Sequence, residues 1–226
     1  MSQDQLGHRQ RLRQKCDDKG AEALTDQELF ELILFSLLPR IDTKPIVKTC
    51  FKRFHNFAGI ISASESELKS VKGLGGKSVR QIKLMATLLN RISFERVKSK
   101  SILSNWQDLQ FFCVQKLSHY KIEAFLMILL DNQNHVITVK ELGQGTVNQM
   151  TIYPREVLKV ALAHEAVGVI LVHNHPSQDE RASKEDIHLT KNLQQTLRSA
   201  NITLHDHLIV AGRKCVGLRN QGLFEA

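Results

Sequence analysis

Cysteine is scarce: Cys16, Cys50, Cys113 and Cys215 are the four in 226 residues, and no two form a C-x-x-C pair. Their scatter excludes a zinc ribbon and a compact disulfide framework, so all four are expected as reduced, mostly buried thiols. Long apolar runs are missing too. No stretch approaches the roughly 18 uninterrupted apolar residues of a membrane span, and the opening MSQDQLGHRQRLRQK has no apolar core of a signal peptide. A chain with neither is expected in the cytoplasm, away from membranes. What is present, 42% hydrophobic and 24% charged residues, is the composition of a globular protein with a core to bury.

Negative charge is sparse enough to leave a net imbalance in the first part of the chain only, where Lys and Arg are concentrated. Residues 1–100 hold 19 Lys and Arg against 11 Asp and Glu, a balance of +8, whereas residues 101–226 hold 12 of each. A basic module joined to a neutral one points to contact between the first and a polyanion or acidic partner, or to a solvated Lys-rich helical surface.

The expected architecture is α+β: a small all-helical domain over 1–98, a linker through FERVKSKSILS (94–104), and an α/β domain over 104–226 with a mixed sheet flanked by helices. Residues 5–20 read as a frayed helix or arm. Thr25 with Glu28 forms a capping box for a helix ending before Pro39, Thr43 and Pro45 start another, and Ser64 with Glu67 caps a third. The segment after it, VKGLGGKSVRQIKLMATLLNRI, resembles a helix-hairpin-helix. Gly73 and Gly75 would let the backbone turn tightly before a helix start whose free N–H groups, with Lys72, Lys77 and Arg80, favour a phosphate. An ordinary helix-helix connection has the same signature. In the second domain a capping box at Ser104 and Gln107 would open a helix, IEAFLMILL and HVITVKEL form a hairpin, Pro154 starts a helix, and NITLHDHLIVAG returns as a strand.

The most informative stretch is AVGVILVHNHPSQDERASKED, residues 166–186. A β-branched apolar run reads as a buried strand, and side chains two apart on a strand share a face, so His173 and His175 point the same way. After seven intervening residues come Ser183 and then Asp186, near enough for a loop to bring a carboxylate to the same point. Two imidazoles and a carboxylate leave one tetrahedral position open for water, the arrangement of a hydrolytic zinc rather than a structural one. S-K-E-D also reads as a helix N-cap, a role compatible with ligation by Asp186.

H-x-H, seven residues, S-x-x-D is the signature of the JAMM (MPN+) zinc metallopeptidases, and HNHPS with a later DHLIV resembles their RadC-like branch, UPF0758. A small basic helical domain ahead of the metal domain is also that family's layout. Gln178 stands where the family has glycine, and Arg181-Ala182 where it has a proline-containing turn. The resemblance implies an MPN fold, a Zn2+ cofactor, a peptide or protein substrate, and a catalytic glutamate. Glu141, Glu156 and Glu165 are the upstream candidates, and the family's glutamate, on the strand before a Gly-Thr element, matches Glu141 ahead of Gly145-Thr146. Ser183 would then donate to the oxyanion. Asp206 of the D-H pair could hold a ligand imidazole, or Asp206 and His207 could be a polar pair at a strand end. The competing reading is a DNA-binding, repair-associated protein that makes non-specific contacts through Gly73, Gly75, Lys77 and Arg80, with a metal domain that acts on nucleic acid or is structural.

Overall fold

The computed structural model describes residues 3–145 and 152–223, and side chains from residue 7 onward. The fold is α+β: helices alone at first, then a five-stranded mixed sheet between helices. The chain divides into two compact units, one ending at Leu89 and one beginning at Asn90.

The first unit contains α1 (Gln3–Lys19), α2 (Asp26–Leu37), α3 (Lys44–Phe54), α4 (Phe57–Ser62), α5 (Glu65–Lys69) and the start of α6 (Gly76–Lys98). Both capping boxes form, Thr25 with Glu28 and Ser64 with Glu67, and Pro45 lies in the first turn of α3. Phe30, Leu34, Val47, Cys50, Ile60 and Leu68 make its core. The frayed arm expected over 5–20 is instead a tethered helix. Leu12 is buried, and the Arg9 guanidinium donates to the carbonyls of Leu38, Pro39 and Ile41 at 2.6–3.0 Å. Carbonyls at a helix end lack partners within the helix, and a charged fork supplies them.

The linker expected over 94–104 is not a linker. Helix α6 runs unbroken to Lys98, and Val97 and Ile102 are buried with Leu109 and Phe112 of α7 (Trp106–Leu117) in the second unit's core. The Ile102 amide donates to Asn134 O at 2.9 Å. Two isolated apolar side chains without a visible stripe were enough to anchor the segment. Nor is α7 opened by a box at Ser104: its N-cap is Asn105, whose side chain donates to Arg96 O.

The sheet comprises β1 (Glu123–Leu130), β2 (Val136–Gly145), β3 (Gly168–Asn174), β4 (Thr203–Ala211) and β5 (Lys214–Gly217), in the order β2-β1-β3-β4-β5. All pairs are antiparallel except β3–β4, which are joined through α9 (Lys184–Arg198). Covered on both faces, β1 and β3 are apolar throughout except at the end that carries Glu123, His173 and Asn174, which is why both read as continuous runs. Leu126, Ile128, Leu130 and Val172 face α7; Phe125, Met127, Leu129 and Leu171 face α9 and α8 (Pro154–Ala163). Strand β5 closes the far edge and was not expected. Of the expected Gly145-Thr146 element, Gly145 ends β2 and Thr146 lies outside the described residues.

Candidate metal centre

His173, next to last in β3, lies on the α9 side, fully buried, with the Phe125 ring stacked on it at 4.6 Å and 9°. His175 follows just past the strand, facing the same way. Asp186 comes from the first turn of α9, where an acidic residue is favoured by the helix N-terminus. The three side chains converge: His173 Nε2 is 2.9 Å from His175 Nε2 and 3.1 Å from Asp186 Oδ1, and His175 Nε2 is 3.4 Å from Asp186 Oδ2. Among the described residues this is the one His/Cys/Asp/Glu grouping able to hold a metal ion. Ligand atoms on a tetrahedron with bonds of about 2.0–2.1 Å lie roughly 3.3 Å apart, so these separations fit a shared cation. The proton on His175 supports the same fit. Its Nδ1 lies 2.7 Å from Asp179 O, a carbonyl that can only accept, so the Nε2 of the neutral ring presents a lone pair.

Burial would raise the Asp186 carboxyl, but the His173, His175 and Ser183 side chains in contact with it outweigh that and hold the group far below the usual carboxylate range. The same carboxylate raises His175. Ser183 forms the anticipated N-cap: its hydroxyl donates to Asp186 Oδ2 at 2.6 Å and accepts from the Asp186 amide at 3.0 Å. The Ser183 amide donates to Asp186 Oδ2 at 2.8 Å, which leaves Oδ1 turned toward His173. The cap therefore orients the Asp186 carboxylate toward the two histidines.

Glu141 does not join this group. It pairs with Leu126, whose side chain faces α7, so Glu141 lies on the opposite side of the sheet, exposed, accepting from Gln144 Nε2. Glu156 is also exposed, on α8, in an ion pair with Arg155. The carboxylate on the metal side is Glu123, the first residue of β1. Phe125 pairs with His173, and Glu123, two residues earlier on the same face, is near enough to feel the charges of both His173 and His175. Burial raises its pKa, and the charges of His173 and His175 pull against that rise. Glu123, His175, Ser183, Asp186, Tyr153 and Leu189 line a cleft of about 1200 Å³ over the cluster. The signal that could have found Glu123 is a single carboxylate at the head of the otherwise apolar run AFLMILL.

Asn174, between the two histidines, points to the other face. Its Oδ1 accepts from the Ala124 amide at 2.8 Å, and its Nδ2 donates to the carbonyls of Tyr120 and Ile122 at 3.2 and 3.1 Å. The His-Asn-His tripeptide thus also pins the start of β1, and with it Glu123.

Asp206 does not touch a ligand imidazole. Buried beside Gly217, its Oδ1 accepts from the amides of His207 and Arg219, and burial raises its pKa against those two bonds. His207, by contrast, lies 2.8 Å from His173, and burial pushes it well below the ordinary histidine range. In the loop before α9, Gln178 adopts φ 64°, the left-handed conformation for which glycine is the usual residue. Asp179 and Arg181 brace that loop through a two-pronged ion pair that lowers Asp179 to about 2.

In the first unit, Gly73 has φ 100°, a conformation that side chains rarely adopt, and a Cβ there would also meet Ile46 Cδ1 at 2.6 Å, so backbone geometry and packing together account for glycine. Gly75 has open space around it. Lys72, Lys77 and Arg80 are exposed around the start of α6.

Comparison with known proteins places the site in a family. A model of the RadC-like JAB domain matches residues 103–223. The UPF0758 protein of Rhodobacter capsulatus is 37% identical over 212 residues, 94% of this chain and 99% of that protein. A second UPF0758 protein, from Ruegeria pomeroyi, is 37% identical over 215 residues, 95% of this chain and 96% of its own length. Similarity of this extent, running through both units, makes the chain a member of the UPF0758 family, with a RadC-like JAB domain as its second unit.

Proposed function

We propose that the protein is a zinc-dependent metallohydrolase that cleaves an amide or isopeptide bond in a peptide or protein substrate. The observation that carries this reading is the convergence of His173, His175 and Asp186 in a cleft that also receives the Glu123 carboxylate. Zinc bound by those three residues supplies a Lewis acid and lowers the pKa of its water towards ~7. Glu123 is the general base: it accepts a proton from the attacking water and returns it to the departing amine. Its partly buried carboxylate, raised above its ordinary value, is a better proton acceptor than an exposed one. Ser183 serves the oxyanion by turning its single hydroxyl proton away from Asp186 Oδ2, which keeps the Ser183 amide as a partner. Phe125, Leu189 and Tyr153 give the cleft apolar walls on which a substrate side chain can rest.

Elemental analysis of the native protein, combined with turnover on a peptide library, tests the reading. One zinc per chain is expected, with turnover lost on chelation and in His173→Ala. A native protein without metal, or turnover indifferent to chelation, ends it.

A second activity is proposed for the first unit: sequence-neutral contact with a nucleic-acid backbone at the α5–α6 connection. The exposed Lys72, Lys77 and Arg80 beside Gly75, in the part of the chain that carries the whole formal excess of charge, favour it.

A further inference from the structure

We propose that His207 and Thr190 are positioning residues that keep a proton on His173 Nδ1, so that the Nε2 lone pair of His173 faces the metal position. The inference rests on the metal-hydrolase reading and extends it to two residues outside the ligand set. Four residues form a chain of contacts behind the metal position: His173 Nδ1 is 2.8 Å from His207 Nε2, His207 Nδ1 is 2.6 Å from Thr190 Oγ1, and Thr190 Oγ1 is 2.6 Å from the main-chain oxygen of Asp186. His173, His207 and Thr190 are 0–1% exposed, so water does not compete for these bonds.

The direction of every bond follows from the last one. A carbonyl oxygen only accepts, so the Thr190 hydroxyl gives its single proton to Asp186 O. That hydroxyl can then only accept from His207, so His207 Nδ1 carries a hydrogen. The two ring nitrogens of His207 meet a hydroxyl and an imidazole, with the Nδ1 hydrogen committed to Thr190, so Nε2 is the atom left to accept from His173. His173 must therefore donate from Nδ1, which leaves Nε2 bare beside His175 Nε2 and Asp186 Oδ1. The relay opposes a competing arrangement. With Asp186 Oδ1 at 3.1 Å, an unrestrained His173 would gain by placing its proton on Nε2 and donating to the carboxylate, which blocks the ligand position. Asp186 and Thr190 are one helical turn apart on α9, so the helix that delivers the carboxylate also anchors the relay.

Nitrogen-15 NMR of histidine-labelled, metal-free protein at pH 8 reads which ring nitrogen is protonated, and zinc titration against a competing chelator reads affinity. In the wild type, His173 is expected with its proton on Nδ1 and His207 likewise. His207→Leu and Thr190→Val are expected to mix the His173 tautomers and to weaken zinc binding roughly 10- to 100-fold. Thr190→Ser, which keeps the hydroxyl, should restore the wild-type tautomer and affinity, separating proton placement from loss of packing. A wild-type His173 protonated on Nε2, or folded variants with wild-type tautomer and zinc affinity, would overturn the inference while leaving the metal reading intact. A wild type that binds no zinc fails earlier and removes both.

Discussion

A carboxylate can serve as a base toward a water held by His173, His175 and Asp186 only from their side of the sheet, and strand pairing puts Glu123 there and Glu141 on the other face. Glu123→Gln keeps the shape of the side chain and removes its basicity. Turnover should fall by on the order of 10²–10⁴-fold at unchanged zinc content. Glu141→Gln should leave both unaffected, and steady-state kinetics with metal analysis on the two variants would expose the reverse pattern. The same logic of faces explains why the residue between the two histidines is asparagine. Its amide reaches the opposite side and meets three main-chain groups at the start of β1.

At the scale of the element, Asn174→Ala strips partners from the buried Ala124 amide and two carbonyls. A loss of about 2–4 kcal/mol is expected in denaturant unfolding, since each buried group left unpaired costs about 1–3 kcal/mol. Because the β1 start is then loose, catalytic turnover should drop further than zinc affinity. Helix α2 offers a pH-dependent test. Glu28 is held at about 2, below its ordinary 4.5, by a hydrogen bond from Lys15 and then by the Thr25 amide of the capping box. Folding therefore favours the ionised form: the contribution is complete above the ordinary value and fades as pH falls from about 4.5 to 2. Carbon-13 NMR titration should show Glu28 rising toward its ordinary value in Lys15→Met. An unchanged midpoint would mean that the Lys15 pair at 2.7 Å contributes nothing to that shift.

For the whole molecule, the two units should respond to different ligands. Zinc bound to the folded state alone stabilises it by about 4 kcal/mol at a thousandfold excess over Kd. Chelation should therefore accelerate hydrogen exchange from residue 90 onward and leave α1–α5 unchanged; slowed exchange in α2 and α3 on adding zinc would contradict this. DNA should act on the first unit. Binding is expected to weaken linearly in log Kd against log salt, and Lys77→Glu with Arg80→Glu should weaken it and flatten that slope. Affinity that persists at high salt, or is indifferent to both charges, would remove the phosphate site.

Much of this protein is written locally. Helix caps at Thr25, Ser64 and Ser183, the apolar runs of β1 and β3, and the His173, His175, Asp186 spacing are short-range features, so the sequence by itself determined the α+β class and the three side chains able to share a cation. Glu123, His207 and the anchoring of 94–104 depend on partners far along the chain. Register between β1 and β3 brings Glu123 near His173 and His175; the β3–β4 pairing with its irregularity between Val169 and Ile170 brings His207 to His173; Ile102 finds its place only when Asn134 arrives. Those choices belonged to the tertiary structure, because the face a strand residue occupies has meaning only once another strand or helix is laid against it.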